Sequence, residues 1–286
     1  MAAEPAATRP RDGISHGWRV VAAWLIVSAI ATPLVAVVLG PHLPPGNAST
    51  QASQQVVDNT VITSIVTPVI CLILVFFAYS LIYFRAPRGA TVLDGPPLRN
   101  DSRVQIVWII ATSVTVLFLA GFGTYELLQN GAGGGQGPSP VAVPSAEKIP
   151  VQVIGQQWEF TYRYPSFGGF ETHELVLPAD TYITFHVTSL DVVHSFWAYE
   201  LGVKVDANPG VDNVAYVQTK GPTAFHLRCA ELCGLFHGYM FGEGRVVTPQ
   251  QFQTWAARQR VLYAPITKYL PPYSTTYLPD PQERGG

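Results

Sequence analysis

Three apolar runs, residues 18–39, 61–84 and 104–128, are each long enough to cross a lipid bilayer as a helix. The second contains no Asp, Glu, Lys or Arg, and the third has none before Glu126. Further along the pattern changes. In 181–188, Ile183, Phe185 and Val187 alternate with Thr184 and His186, and Phe225 and Leu227 alternate with His226 and Arg228. Period-two runs separated by Pro, Gly and Asp turns predict an antiparallel β-sandwich or barrel. Thr248-Pro249 predicts the start of a short helix with Phe252 and Trp255 on one face. The expected chain is a membrane-anchored α + β protein. Its parts are a cytoplasmic N-terminus (1–17), three apolar helices (18–39, 61–84, 104–128), a linker (129–147), a β domain (148–264) and an irregular Pro- and Tyr-rich tail (265–286). The linker contains the flexible stretch GAGGGQGPSP, 131–140.

Charge orients this arrangement. Arg9, Arg11 and Arg19 flank the first run, and Arg85, Arg88, Arg99 and Arg103 crowd the link between the second and third. The link 40–60 carries no Lys or Arg. Positive residues stay on the cytoplasmic side, so everything after about residue 128 is expected outside. A cleaved signal peptide competes for the first run, but that run exceeds the usual apolar core and lacks an A-x-A end. An uncleaved helix is therefore expected.

Only 13% of residues are charged, which fits lipid-buried segments, and a net charge of −2 excludes a generally basic, nucleic-acid-coating protein. Three cysteines are too few for a disulfide scaffold, and Cys71, inside an apolar run, reads as a small buried hydrophobe.

The chemistry concentrates in Cys229-Ala-Glu231-Leu-Cys233-Gly-Leu-Phe-His237-Gly-Tyr-Met240, preceded by His194 in DVVHSFW. Thiolates, imidazoles and a thioether are the soft to borderline donors that select copper. A one-copper blue site needs one Cys, two His and a weak Met. The second cysteine lets two thiolates bridge two copper ions, with one His on each and Met240 and the Glu231 carbonyl completing the shell. A Cys229–Cys233 disulfide would leave His237 and Met240 unexplained, and a closed Cys₂His₂ zinc site does not use Met.

On DVVHSFW (191–197), LGVKVDANPG (201–210), CAELCGLFHGYM (229–240) and VIGQQWEFTYRY (153–164), the chain resembles subunit II of the haem–copper cytochrome c oxidases, bacterial type. The likeness runs from about residue 55 and omits the first helix and the tail. It implies a two-helix anchor and a cupredoxin-like β-barrel with the binuclear CuA centre, in a multi-pass protein of a bacterial cell membrane with its C-terminal domain outside. Carried over by position, His194, Cys229, Glu231, Cys233, His237 and Met240 are the copper ligands, Glu231 through its carbonyl. The Glu231 carboxylate also reaches a magnesium ion shared with subunit I, a hard ligand for a hard cation. Trp158 matches the aromatic at which electrons enter from cytochrome c. Asp191 and Asp206 match carboxylates near the copper face that would steer a basic cytochrome c. The implied partners are the haem-bearing subunit I, other oxidase subunits, cytochrome c and the bilayer, with no nucleic acid.

The chain departs from the family at Gln105, where a Glu associated with proton uptake is common, and at Phe160, which replaces a second Trp. It has no CxxCH, so the donor is expected to be a separate protein or another subunit. The expected function is electron entry into an oxidase whose oxygen-reducing site lies in another subunit. The alternatives are a CuA subunit of a nitric oxide reductase and a membrane-tethered copper-binding protein.

Overall fold

The computed structural model describes residues 15–85, 101–130, 134–135 and 148–270. The expected cytoplasmic terminus up to residue 14, Arg88 and Arg99, most of the linker, and the tail from residue 271 lie outside the described residues. The chain divides into two compact units, residues 1–41 with 59–110, and residues 42–58 with 111–286.

Among the described residues three helices are long and apolar enough to cross a membrane. Helix α1 (His16–Pro33) continues as a π-helical turn, Leu34–Leu39, and a 3-10 turn, Gly40–His42. Helices α2 (Thr50–Tyr83) and α3 (Ser102–Asn130) follow. Leu25, Ile30, Ile73, Phe77, Ile106 and Leu117 point outward, and helices apolar on all sides need an apolar surrounding. In the first unit α1 is fastened to α2. The Trp24 indole donates to the Pro68 carbonyl at 2.8 Å, and His16 Nδ1 and the Tyr79 hydroxyl lie 2.7 Å apart. Gly40 leaves no room for a side chain, since a Cβ there would sit 2.6 Å from Thr60.

In the second unit, the apolar run understates α2, which begins at Thr50 rather than Val61. The polar residues ahead of the run become helix because Ser49 caps them, its hydroxyl accepting from the Ala52 N–H at 2.9 Å. The same hydroxyl donates to the Leu201 carbonyl at 2.6 Å, and Ser49 is fully buried. Around it, Ala48 N–H donates to Glu200 O, Lys220 N–H to Ala48 O, Gln218 N–H to Gln51 Oε1, and Gln55 Nε2 to Gly202 O. Gly202 has φ +69°, and a Cβ on it would lie 2.8 Å from Ala52 N. The stretch expected as a plain link is thus a strap built onto the β domain.

Among the described residues two sheets form that domain. The first contains β1 (Gly134–Gly135), β2 (Lys148–Gln156), β3 (Glu159–Arg163), β4 (Glu171–Thr172), β6 (Tyr182–Ser189) and β9 (Asn213–Gln218), in the order β1-β9-β6-β2-β3-β4. The second contains β5 (Leu175–Pro178), β7 (His194–Ala198), β8 (Val203–Ala207), β10 (Thr223–Cys229) and β11 (Phe241–Val247), in the order β5-β11-β10-β7-β8. Most neighbours are antiparallel, as alternation predicts, but β2–β6 and β11–β5 are parallel. Period-two patterning fixes which face is buried and is silent on strand direction. Gly134 and Gly135, inside the expected linker, pair with β9.

The two sheets close over Val151, Val153, Phe185, Phe196, Val217 and Phe225. Phe196 sits at the centre, with ring centroids 5.6 Å from Phe160 and 5.5 Å from Phe185. Phe225 lies over Gly244 on the neighbouring strand, where a Cβ would meet its ring at 2.3 Å. Helix α4 (Pro249–Thr267) begins at a capping box between Thr248 and Gln251 and packs Phe252 and Trp255 against Tyr164. It runs through Pro265, so the chain is helical beyond the expected boundary at 264.

The strap gives a direct expectation. Ser49→Ala removes a helix cap and leaves the buried Leu201 carbonyl without its donor, costing about 2 kcal/mol. It should lower the denaturant midpoint of the full chain, followed by tryptophan fluorescence, and an unchanged midpoint would contradict the strap's role.

Candidate metal centre

The site stands where β7 and β10 run side by side. Cys229 ends β10 and pairs with Phe196 of β7, whose first residue is His194. From Cys229 the chain loops through a 3-10 turn, His237–Tyr239, and returns into β11 at Phe241. The Cys229 N–H donates to the Met240 carbonyl at 2.9 Å and closes the loop. The Ala230 N–H donates to Ser195 O, also at 2.9 Å, and ties the loop to β7.

Closure brings the sequence-predicted donors together. The Cys229 and Cys233 sulfurs are 3.8 Å apart and not bonded. Each sulfur has its own imidazole, His194 Nδ1 at 3.9 Å from Cys229 and His237 Nδ1 at 3.5 Å from Cys233. Each also has a weaker donor, the Glu231 carbonyl at 3.3 Å from Cys229 and the Met240 thioether at 3.8 Å from Cys233. Donor atoms of His194, Cys229 and Cys233 lie within 4.8 Å of one another. His194, Cys229, Cys233 and Met240 are buried, while Glu231 is exposed and presents its carboxylate outward.

Behind the donors stands a polar frame. The Asp191 carboxylate accepts from His194 Nε2 at 2.8 Å through Oδ1, and from the Gln157 N–H at 2.6 Å through Oδ2. It also accepts from the Val192 N–H and the Ser189 hydroxyl. A carboxylate on the far nitrogen fixes the imidazole's tautomer and aims Nδ1 at the sulfur. Gly155 lets the ring approach, since a Cβ there would sit 3.1 Å from His194 Cδ2. Phe160 packs edge-on to His194 at 6.2 Å. Trp158 is half-buried, donates from its indole to Cys233 O at 3.3 Å and meets Phe236 edge-on at 4.8 Å.

The residues expected to steer a partner separate here. Asp191 is committed to His194. Asp206 stands on the outer face of β8 opposite Ser195, outside the donor cluster. Ser189 and Gln157 were not singled out in the sequence. No spacing rule relates them to the cysteines, and only the parallel pairing of β2 with β6 carries their two loops to one place.

Residues 170–243 match the family model for cytochrome C oxidase subunit II, periplasmic domain. The cytochrome c oxidase subunit 2 of Thermostichus vulcanus is 36% identical over 133 residues, which are 46% of this chain and 40% of that protein. The β domain of the chain is similar to the periplasmic domain of cytochrome c oxidase subunit II. The subunit 2 of Zea mays is 29% identical over 189 residues, 57% of this chain and 69% of that one. The crystal structure of the periplasmic domain of subunit II (CoxB) from Bradyrhizobium japonicum is similar at 31% identity, covering 43% of this chain and 99% of that one, with a TM-score of 0.41. The chain spans about half the length of the curated relatives it matches first.

In this chain the thiols titrate apart. Burial pushes the Cys229 thiol up, but hydrogen bonds from His194, the Glu231 and Ser195 main chains and His237 outweigh it and hold it at about 6. Burial and the neighbouring Cys229 charge push Cys233 up to about 12. Burial opposes charge on His194, yet Cys229 and Asp191 hold its affinity for a proton above the ordinary value. The metal-free site therefore carries one thiolate and keeps one proton among its sulfurs, and that proton must leave when both sulfurs bind metal.

Three expectations follow from the frame. Alkylation of the metal-free chain should modify Cys229 first, with a rate that rises through about pH 6; a midpoint near the free-thiol value of 9.0 would contradict the geometry. Because Cys229 lies below that value, it contributes stability that is complete above pH 9 and lost as pH falls through 6. Asp191→Ala frees the His194 ring and should weaken metal binding by roughly 10–100-fold in chelator competition.

Proposed function

We propose that this chain is the electron-entry subunit of a membrane-bound cytochrome c oxidase. Its β domain faces the outer side of a bacterial cell membrane and holds two copper ions. The observation that carries the reading is the pairing of each cysteine sulfur with its own imidazole and its own weak donor. A single tetrahedral metal needs only the two sulfurs and two imidazoles, and leaves a thioether and a carbonyl without a purpose. This donor set fits two soft-to-borderline ions held between two thiolates, with His194, Cys229, Glu231 through its carbonyl, Cys233, His237 and Met240 as ligands. When bound, such a pair accepts one electron spread over both ions.

The protein's own residues do the rest. Buried sulfurs keep water and stray oxidants away, and the doubly tied loop keeps the donors nearly fixed whichever charge the site holds. Trp158 supplies a half-exposed aromatic surface one hydrogen bond from the Cys233 main chain, a suitable entry point for an electron from cytochrome c. Around it Leu232, Leu235, Phe236 and Tyr239 are exposed and form an apolar rim for a redox partner. The exposed Glu231 carboxylate is placed to meet a magnesium ion shared with subunit I. Electrons leave for the haem of that subunit, where oxygen is reduced. Burial of the donors argues for a resident metal and against a copper carrier, which needs exchangeable ligands.

The full chain in detergent, loaded with copper, should give a seven-line mixed-valence EPR signal and accept electrons from reduced cytochrome c. A four-line signal, or a chain that takes up only zinc, would sink the reading.

A further inference from the structure

We infer that Gln157 is a positioning residue that couples the two halves of the metal centre, a role that rests on the copper reading above. The β2–β3 hairpin carries no donor of its own, yet its tip holds both sides of the site. The Gln157 side chain donates from Nε2 to the Cys233 carbonyl at 2.7 Å. The Trp158 indole donates to the same oxygen at 3.3 Å, so both lone pairs of that carbonyl are engaged by adjacent residues. The Gln157 main-chain N–H reaches the other way and donates to Asp191 Oδ2 at 2.6 Å. Asp191 Oδ1 in turn accepts from His194 Nε2 at 2.8 Å. One residue therefore joins the Cys233 and His237 side of the cluster to the Cys229 and His194 side.

The fit is close. Gly234, next to Cys233, has φ +117°, and a Cβ on it would sit 3.0 Å from Gln157 Nε2 and 3.4 Å from Trp158 Nε1. The loop can lie against the hairpin only because that position is glycine. Gln157 itself is exposed, so its side chain contributes little to the core. Its effect falls on where the Cys233 carbonyl, and hence the sulfur on the same residue, is held. Fixing that sulfur against the frame that orients His194 sets the separation of the two halves, and with it how evenly they share an electron.

The test compares the full chain in detergent with Gln157→Leu, which keeps size and loses the donor, and Gln157→Glu, isosteric and without a donor when ionised. In the metal-free chain, amide hydrogen exchange across 229–240 should speed up in both variants while exchange in β2, β6 and β10 stays slow. After copper loading, both should lose roughly tenfold in copper affinity against a chelator and show a shifted EPR hyperfine pattern and midpoint potential. Trp158→Phe should act in the same direction, and the double variant should depart from additivity because both donors serve one carbonyl. Unchanged exchange, affinity and spectrum in folded Gln157→Leu and Gln157→Glu would overturn the inference. If the wild-type chain gives no binuclear signal, the copper reading fails instead, and the exchange result still decides the role of Gln157.

Discussion

One hydrogen bond sets the geometry of the site, from the Cys229 N–H to the Met240 carbonyl. It continues the β10–β11 ladder to its last rung and compels twelve residues to turn within a single strand spacing. A loop pinched this way folds its side chains back over the ladder's end. Cys229, Cys233, His237 and Met240 then fall together within one segment of the chain. His194 is the exception, and it arrives by the same device, since β7 pairs with β10 at Phe196 and Cys229. Strand pairing thus does the work of assembling ligands, and the loop needs only the right residues at the right positions.

This explains what could be read from the sequence and what could not. The cysteines, His237 and Met240 were legible because the ladder makes their proximity local, a matter of spacing within one segment. The three apolar helices were legible from composition, since bilayer length is a count of residues. The strap was not. Residues 49–55 are polar and carry no periodic apolar stripe, so helix propensity and pattern gave no reason to extend α2 upstream of Val61. Their helix exists because Ser49 is buried against Leu201, a contact between residues far apart in sequence. Parallel pairing of β2 with β6 was hidden for the same reason, as alternation says which face is buried and nothing about the neighbour.

Asp191 has a structural role that its motif did not reveal. Its place near the copper face suggested a charge offered to a partner protein. Its carboxylate also receives His194, Gln157, Val192 and Ser189, and burial, which raises its pKa, is outweighed by those hydrogen bonds, which hold it below the ordinary carboxylate value. The surface near the loop is mainly apolar, through Leu232, Leu235, Phe236 and Tyr239. Short-range apolar contact, with charge acting from further away, is the combination that favours brief, repeated encounters.

The frame also accounts for the lopsided thiols. His194 lies against Cys229 while anchored to Asp191, so a proton leaving that sulfur has a stabilised imidazolium beside it. Cys233 has no such chain. Burial works against its charge, His237 faces it at 3.5 Å, and the negative Cys229 lies 3.8 Å away. The asymmetry belongs to the metal-free protein, because a pair of cations between the sulfurs would satisfy both at once. Binding a metal through both sulfurs has to displace the proton held by Cys233, so affinity falls as pH falls.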